Sequence, residues 1–234
     1  MTLSIHPLGG MPEVEPGDDL PRLLLEAVGA AGLRLETGDV LVVTHKVVSK
    51  AEGAVAPLDG DEETAYRALV LEQADRVVRR RGPMVIARTR HGFICANAGV
   101  DRSNAAPGTA VLLPHDPDRS AHGIRLALRA ATAVDVAVVI TDTFGRPWRR
   151  GLVDVAIGVS GIEPLLDLRG TQDAQGRTLT VTEVAVVDEI AAAADLVMGK
   201  ADGIPAALVR GLGGTRGEGR ATDLVRPADE DMFR

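Results

Sequence analysis

The sequence predicts an α+β fold in which helices and strands mix without the strict alternation of a doubly wound sheet. Apolar, β-branched runs at 40–44 and 134–140 predict buried strands. Apolar residues at helical spacing predict helices at 20–35 and 118–132. No internal repeat or low-complexity linker divides the chain, so residues 1–234 are expected to form one domain, with room for two lobes around a shared core.

The elements of the first half follow one another closely. Residues 3–8 are predicted as a strand, and the helix at 20–35 opens with acidic residues and Pro21 in its first turn. Residues 62–81 are predicted as one long helix, because apolar residues share a face and three arginines stand at its end, where they suit the helix dipole. Short strands are predicted at 84–88, 93–98 and 111–113.

The second half ends in a helix and a loop. The strand at 134–140 is expected to lie inside a sheet, and 178–182 alternates like a strand. Thr180 and Glu183 have capping-box spacing, so a helix is predicted from there to a stop at Gly199. A last strand follows at 204–209, and the Gly- and Arg-rich segment 211–220 is expected to be a loop or a lid.

Composition excludes several classes of protein. The formal net charge is -7 and aromatic residues make up 2%, which argues against a nucleic-acid surface. The N-terminus does not resemble a signal peptide, and no apolar run is long enough for a membrane span. Cys95 is the only cysteine, so an intramolecular disulfide is impossible and a cytoplasmic location is expected.

Polar residues follow two of the apolar strands. Asp142 and Thr143 come after 134–140, and a carboxylate beside a hydroxyl is a suitable pair of ligands for Mg²⁺ or Mn²⁺. A turn in which Asp142 caps the next segment would use the same residues. Lys46 and Lys50 follow the strand 40–44. Lys50 would neutralise phosphate charge, although a solvated charged turn also fits this segment.

Three loops add weaker signals. In 97–104, Asp101 is a possible metal ligand and Asn104 a partner for a base, sugar or phosphate, although an Asx-turn explains both. Segment 8–14 lacks the spacing of a P-loop, and an entry turn explains it. Segment 198–205 follows a helix C-terminus, the wrong end of the dipole for phosphate, although Lys200 could reach one. From the residues alone, the sequence supports a metal site with oxygen ligands and lysines nearby. Such a site suggests a nucleotide as the ligand.

Several long motifs occur in order along nearly the whole chain and are more specific together than alone. They are KVVSKAEG at 46–53, HGFICANAGVD at 91–101, TDTFGRPWR at 141–149, VTEVA at 181–185 with Gly199-Lys200, and DLVRP at 223–227. In these motifs the sequence resembles the coenzyme F420-0:L-glutamate ligase family. His45 and Leu152 depart from the family pattern, which more often has Ser or Gln at the first position and Gln at the second.

The resemblance implies a set of site residues. Metal-binding carboxylates fall on Asp101 and Asp142, and the Thr143 hydroxyl serves a second metal. Lys50 and Asp142 are the expected catalytic residues. Guanine-nucleotide contacts fall on Met11, Pro12, Glu13, Val14, His45, Lys50, Asn104, Met198, Gly199, Lys200, Ala201, Asp202, Gly203, Ile204 and Pro205. The implied cations are two Mg²⁺ or Mn²⁺ per site, with K⁺ as a further candidate.

The resemblance also implies an activity and an assembly. A GTP-dependent ligase of this family would join L-glutamate to coenzyme F420-0 through an acyl phosphate, with γ-linked glutamates added later. The implied fold is a two-lobed α+β fold in an intertwined homodimer. Actinobacterial relatives often carry a C-terminal nitroreductase-like domain, which is not expected in a sequence that ends at Arg234.

Three other functions remain open from the sequence. They are a nucleotide-dependent carboxylate–amine ligase with another acceptor, a metal-dependent phosphohydrolase, and a deazaflavin-binding protein without catalysis. The ligase hypothesis depends on one geometric condition. Asp101 and Asp142, which are far apart in the sequence, must lie at the same cleft.

Overall fold

A computed structural model describes residues 2–213 and 217–232. In these ranges the α-helices are α1 Leu20–Ala30, α2 His45–Ala51, α3 Glu62–Gln73, α4 Pro117–Thr132 and α5 Val186–Met198. The strands are β1 Ser4–Leu8, β2 Val40–Thr44, β3 Val55–Pro57, β4 Ala74–Arg81, β5 Met84–Thr89, β6 Ile94–Ala96, β7 Thr109–Val111, β8 Ala137–Gly145, β9 Leu152–Ser160, β10 Leu166–Asp167, β11 Glu183–Val184 and β12 Ala206–Arg210. None of these helices has the length and apolar character that a bilayer span requires. The mixture confirms the α+β class.

A five-stranded sheet in the order β1-β12-β2-β8-β9 forms the centre of the molecule. Strands β2 and β8 are parallel, and the other pairs in this sheet are antiparallel. Thr44 at the end of β2 lies beside Thr141 of β8, so the residues that come after these two positions lie at the same edge of the sheet. Both apolar runs predicted as buried strands are therefore confirmed, but β8 begins at Ala137 and continues to Gly145. Asp142 and Thr143, which the sequence placed after this strand, therefore lie within it and pair with β9.

Helices α1, α4 and α5 pack with this sheet in one large hydrophobic cluster. Gly158 of β9 allows the close approach of α4, because a Cβ atom there would lie 2.4 Å from the carbonyl oxygen of Pro117. Asp118 of α4 accepts a hydrogen bond from the Val159 N–H at 2.8 Å. A smaller cluster, built on Leu58, Val70, Val100 and Ala110, lies between α3 and the strands around it.

The long helix predicted at 62–81 is wrong in its second half. Helix α3 ends at Gln73, and Ala74–Arg81 instead forms β4, which pairs with β5 across a turn at Gly82. The β-branched pair Val77-Val78 suits a strand, and pairing with β5 outweighs the helical periodicity. The arginines therefore lie on a hairpin and not at a helix end.

The start of the last helix also differs from the prediction. Helix α5 begins at Val186 after Ala185, and the segment 178–182 is a loop in which Thr178 makes one isolated bridge to Gln172. The capping-box pattern at Thr180 is therefore not used. The predicted stop at Gly199 is confirmed. The other predicted elements are present with ends shifted by a few residues; the loop predicted at 211–220 lies partly outside the described residues.

Candidate functional site

An open cavity of about 290 Å³ lies where β2 ends, beside the second half of β8. Segments from distant parts of the sequence form its wall, because the parallel strands bring their following residues together. The lining residues are Met11, Pro12, Glu13, Val14, Thr44, Lys46, Val47, Lys50, Asn104, Asp142, Thr143, Asp154, Asp195, Met198, Gly199, Lys200, Ala201, Gly203, Ile204 and Pro205. The cavity thus has carboxylates and lysines on the same wall.

The acidic part of the wall comes from the hairpin of β8 and β9. Thr143 lies directly opposite Asp154, and its hydroxyl donates to Asp154 Oδ1 at 2.5 Å. The Thr141 hydroxyl donates to Asp154 Oδ2 at 3.0 Å. Burial raises the pKa of Asp154 above the usual range, against the lowering effect of the two hydroxyls, and the charges of Asp195 and Asp142 add to the increase.

His45 lies beneath the cavity and not on its wall. Its side chain is 1% exposed, and its Nε2 atom is 3.3 Å from Asp142 Oδ1 without forming a hydrogen bond of good geometry. The Nδ1 atom is 3.4 Å from the Ser49 hydroxyl. Asp142 Oδ1 also accepts the backbone N–H of Thr143 at 2.7 Å. His45 therefore contacts the carboxylate that the sequence assigned to a metal.

Asp101 joins this region through Lys46. The Lys46 ammonium lies 2.7 Å from Asp101 Oδ2 and 2.6 Å from the Ser103 hydroxyl. Ser103 in turn donates its N–H and its hydroxyl to Asp101. Burial raises the pKa of Asp101, but the bonds from Lys46 and Ser103 outweigh it, so the pKa lies below its usual value. Since His45 and Lys46 are neighbours at the start of α2, Asp142 and Asp101 approach the same turn of helix.

Lys50, one helical turn later, has a partner in the loop before α1. Its ammonium is paired with the Glu13 carboxylate. The lysine side chain is 11% exposed and the glutamate 77%. A buried lysine stem with its charge at the cavity wall is suited to hold an anion, and the partner that can move away is the exposed carboxylate.

The third part of the wall is the loop after α5. Gly199 has a φ of 60°, and a Cβ atom there would lie 2.2 Å from Asp202 Oδ2. The Thr44 N–H donates to the Pro205 carbonyl at 2.9 Å, which ties the end of this loop to the end of β2. The loop is therefore fixed beside Lys46 and Lys50.

Most residues predicted for the site line the cavity, and three do not. The exceptions are His45 below it, Asp101 behind Lys46, and Asp202, which is exposed beside Gly199. Asp154 and Asp195 were not predicted from the sequence. Asp154 has a recognisable signal, since a charged residue interrupts the apolar run of β9. Leu152, the other departure from the family pattern, is exposed at the start of β9 and does not line the cavity.

The oxygen atoms at this wall fit a hard divalent cation only if further ligands come from a substrate. In the described residues no group of three or more His, Cys, Asp or Glu side chains could hold a metal ion by itself. Asp142 and Thr143 supply a carboxylate and a hydroxyl at the cavity surface. Mg²⁺ is usually held by one or two carboxylates together with substrate phosphates. This donor set therefore fits a cation that arrives with a phosphate.

Comparison with known proteins gives a consistent result. Residues 10–211 match the family model described as F420-0:Gamma-glutamyl ligase. The chain is 42% identical to the coenzyme F420:L-glutamate ligase of Methanothermobacter thermautotrophicus, with 100% of both chains covered. It is 45% identical to the protein of the same name from Methanopyrus kandleri, covering 100% of this chain and 98% of the relative. Both matches therefore extend over the cavity segments and beyond them.

Proposed function

The chain belongs to the F420-0:gamma-glutamyl ligase family, and on that premise we propose that it joins L-glutamate to coenzyme F420-0 by an amide bond. The curated relatives carry the name coenzyme F420:L-glutamate ligase. The observation that supports the proposal best is the meeting of Asp142, Thr143, Lys46 and Lys50 at one cavity. This combination suits a ligase that uses a nucleotide, because a phosphate must activate a carboxylate before an amine can attack it.

We assign the activation to GTP. The terminal carboxylate of F420-0 attacks the γ-phosphorus, the bond to the β-phosphate oxygen breaks, and GDP leaves. The amine of L-glutamate then attacks the acyl carbon of the acyl phosphate. Inorganic phosphate departs with its oxygen, and the amine loses its proton. The same steps with a γ-carboxylate as acceptor would add further glutamates.

The lysines hold the phosphates in this proposal. Each is now paired with one carboxylate, Lys46 with Asp101 and Lys50 with Glu13. A triphosphate brings several negative oxygens and would take over these ammonium groups, as lysines do in other phosphoryl-transfer sites. The Glu13 side chain is largely exposed, so its carboxylate can move into solvent and leave the ammonium to a phosphate. The loop 198–205 and Asn104 would contact the rest of the nucleotide.

Asp142, Thr143 and Asp101 are the residues that would hold divalent cations. Bound Mg²⁺ or Mn²⁺ would neutralise phosphate charge and polarise the phosphorus, and K⁺ is a further candidate. Transfer of Lys46 from Asp101 to a phosphate would free the Asp101 oxygen that the ammonium contacts. Excluding water from the cavity matters as well, since water hydrolyses an acyl phosphate.

We also propose the assembly that the family resemblance implies and the location that the cysteine content favours. One domain with two lobes would form an intertwined homodimer in the cytoplasm. Trp148 and Leu152, at the tip of the β8–β9 hairpin, are 77% and 62% exposed, which supports burial against a second copy. Light scattering coupled to gel filtration tests this, and a monomer at micromolar concentration would contradict it.

A product assay with one component omitted at a time tests the function. Mass spectrometry should detect glutamylated F420 and GDP only when F420-0, L-glutamate, GTP and Mg²⁺ or Mn²⁺ are all present. Release of phosphate from GTP without acceptor and glutamate would instead indicate a phosphohydrolase. Binding of F420-0 without formation of GDP would indicate a carrier protein.

A further inference from the structure

Asp154 is the buried carboxylate of the cavity wall for which the proposed reaction has given no role. Asp154 is only 5% exposed, yet it lines the cavity beside Thr143. Each of its oxygens accepts one hydroxyl, from Thr143 at 2.5 Å and from Thr141 at 3.0 Å. Burying a charge is costly unless its partners compensate for it, so a charge at this place calls for a reason.

A simple link between β8 and β9 does not require a charge. An amide or a hydroxyl at position 154 could also bond to a threonine, and the backbone ladder already joins the two strands there. A carboxylate differs because it accepts hydrogen bonds and cannot donate them when ionised. It therefore fixes the direction of both hydroxyl protons, which must point towards Asp154.

The direction matters only for Thr143. Thr141 is fully buried and does not line the cavity, whereas Thr143 does. When the Thr143 hydroxyl donates its proton to Asp154, its lone pairs are left for an acceptor role at the cavity. With the opposite orientation, the proton would point into the cavity and repel a cation. Asp154 thus gives this hydroxyl the polarity that a metal ligand needs.

We propose that Asp154 is a positioning residue that orients the Thr143 hydroxyl as a ligand for a divalent cation. This inference rests on the proposed function, which assigns Thr143 to cation binding. Residues that orient metal ligands typically change metal affinity by about 10- to 100-fold when they are substituted. Asp154 also adds negative charge close to Asp142, which a cation at the cavity would offset.

The substitution Asp154→Asn tests the inference, because it keeps the shape and removes the charge. The loss of charge weakens the acceptor at position 154, and an amide nitrogen that faces Thr143 would donate to its hydroxyl and turn the proton towards the cavity. Titration of the purified chain with Mn²⁺ in the presence of GDP, followed by the EPR signal of free Mn²⁺ against a blank of GDP alone, gives the metal affinity. We expect the Mn²⁺ dissociation constant to rise about tenfold or more, and the KM for GTP at saturating Mn²⁺ to change less than about threefold.

Thr141→Val is the matched control, since it removes the other hydroxyl bound to Asp154. It should leave the Mn²⁺ dissociation constant within about twofold of wild type. Equal effects of the two substitutions would show a structural role for Asp154 and overturn the inference. Unchanged Mn²⁺ binding in folded Asp154→Asn and Asp154→Ala proteins would overturn it as well, because alanine leaves the Thr143 hydroxyl without an acceptor at this position. If circular dichroism shows that the Asp154→Asn variant is unfolded, Asp154→Ala takes its place with the same expectation.

The outcome is separable from that of the proposed function. A wild-type chain that makes the amide, together with Asp154→Asn and Asp154→Ala variants that bind Mn²⁺ normally, would remove this inference alone. A wild-type chain that makes no amide under any condition would remove the proposed function. The Mn²⁺ titrations would still decide whether Asp154 controls cation affinity.

Discussion

The charged residues at the two ends of the parallel pair β2 and β8 form different kinds of ion pair. At the amino end, Arg210 donates to both oxygens of Asp39 at 2.8 Å and also to Glu36 and the Arg34 carbonyl. Arg125 donates to both oxygens of Asp135 at 2.9 Å and to Glu218. The guanidinium groups of these arginines form bidentate salt bridges, which are strong and geometrically specific.

At the carboxyl end the cations are lysines with one carboxylate each. Lys46 holds Asp101 and Lys50 holds Glu13, and both lysines face the cavity. A lysine ammonium is a compact charge, and it exchanges partners more readily than a guanidinium in a bidentate salt bridge. The comparison indicates that the amino end stabilises the fold, whereas the carboxyl end holds its charges ready for a ligand.

The largest effect is expected at the carboxyl end. Asp142→Asn should lower the rate of amide formation by about a thousandfold. The substitution removes the negative charge that would hold the cation, and this cation would stabilise the charge of the transition state. The thermal midpoint should stay close to that of wild type, since the side chain shapes and hydrogen bonds are similar. Initial rates at several Mn²⁺ concentrations measure the effect. Near-normal turnover at limiting metal would contradict the ligand role of the carboxyl end.

The next effect is expected at the amino end and should appear in stability. Arg210→Ala leaves Asp39, which is 2% exposed, without its partner, and breaking a buried pair costs about 3–5 kcal/mol. Urea denaturation should show this loss, while kcat of the folded variant changes little. Arg22→Ala is the control, because the Arg22–Glu26 pair is exposed on α1 and should contribute less than about 1 kcal/mol. Equal losses in the two variants would remove the distinction between the ends.

A smaller effect is expected for Lys50. Lys50→Ala should raise the KM for GTP about tenfold by removing one charge-assisted contact to phosphate, with little change in the free energy of unfolding. Glu13→Gln serves as the control and should leave this KM unchanged or lower it, because it frees the ammonium. Steady-state kinetics at varied GTP concentration measure the KM of both variants. A higher KM in the Glu13→Gln variant would show that the pair itself builds the site.

The smallest effect is a pH dependence at Asp101. Its folded pKa lies below its usual value, so its stabilising contribution is present above about pH 4 and is lost as the pH falls through the folded pKa. The free energy of unfolding of wild type and Asp101→Asn should differ by less than about 1 kcal/mol at pH 7, since a third of the side chain is exposed and screened. This difference should shrink towards pH 3. A loss as large as that of Arg210→Ala would mean that both ends are structural.

Sequence patterns predicted the parts of the fold that depend on local periodicity. The strand β2 and the helix α4 have regular apolar patterns over most of their length and were found within a few residues of the predicted limits. The strand β4 was missed, because its apolar residues also fit a helical face, and only pairing with β5 decides between the two. The start of α5 was missed because Thr180 offers a plausible cap that the loop does not use.

The candidate site could be predicted only in pieces. The residues after β2 and those in the second half of β8 were recognisable, because polar side chains follow apolar runs at both places. The pairing of Lys46 with Asp101 depends on the chain path and has no local signal. Asp195 lies on α5, where a charged residue is ordinarily expected to face solvent. The contact between His45 and Asp142 requires the parallel register of the two strands, which the sequence does not state.

The wall of the cavity draws on residues from position 11 to position 205. No proteolytic fragment that lacks either end of this span can present the complete surface. A chain cleaved in a surface loop should regain the proposed nucleotide binding only if its pieces reassemble around the central sheet. Ligand binding would then favour the reassembled pair over the separate halves, which makes complementation of split fragments a sensitive reporter for compounds that occupy the cavity.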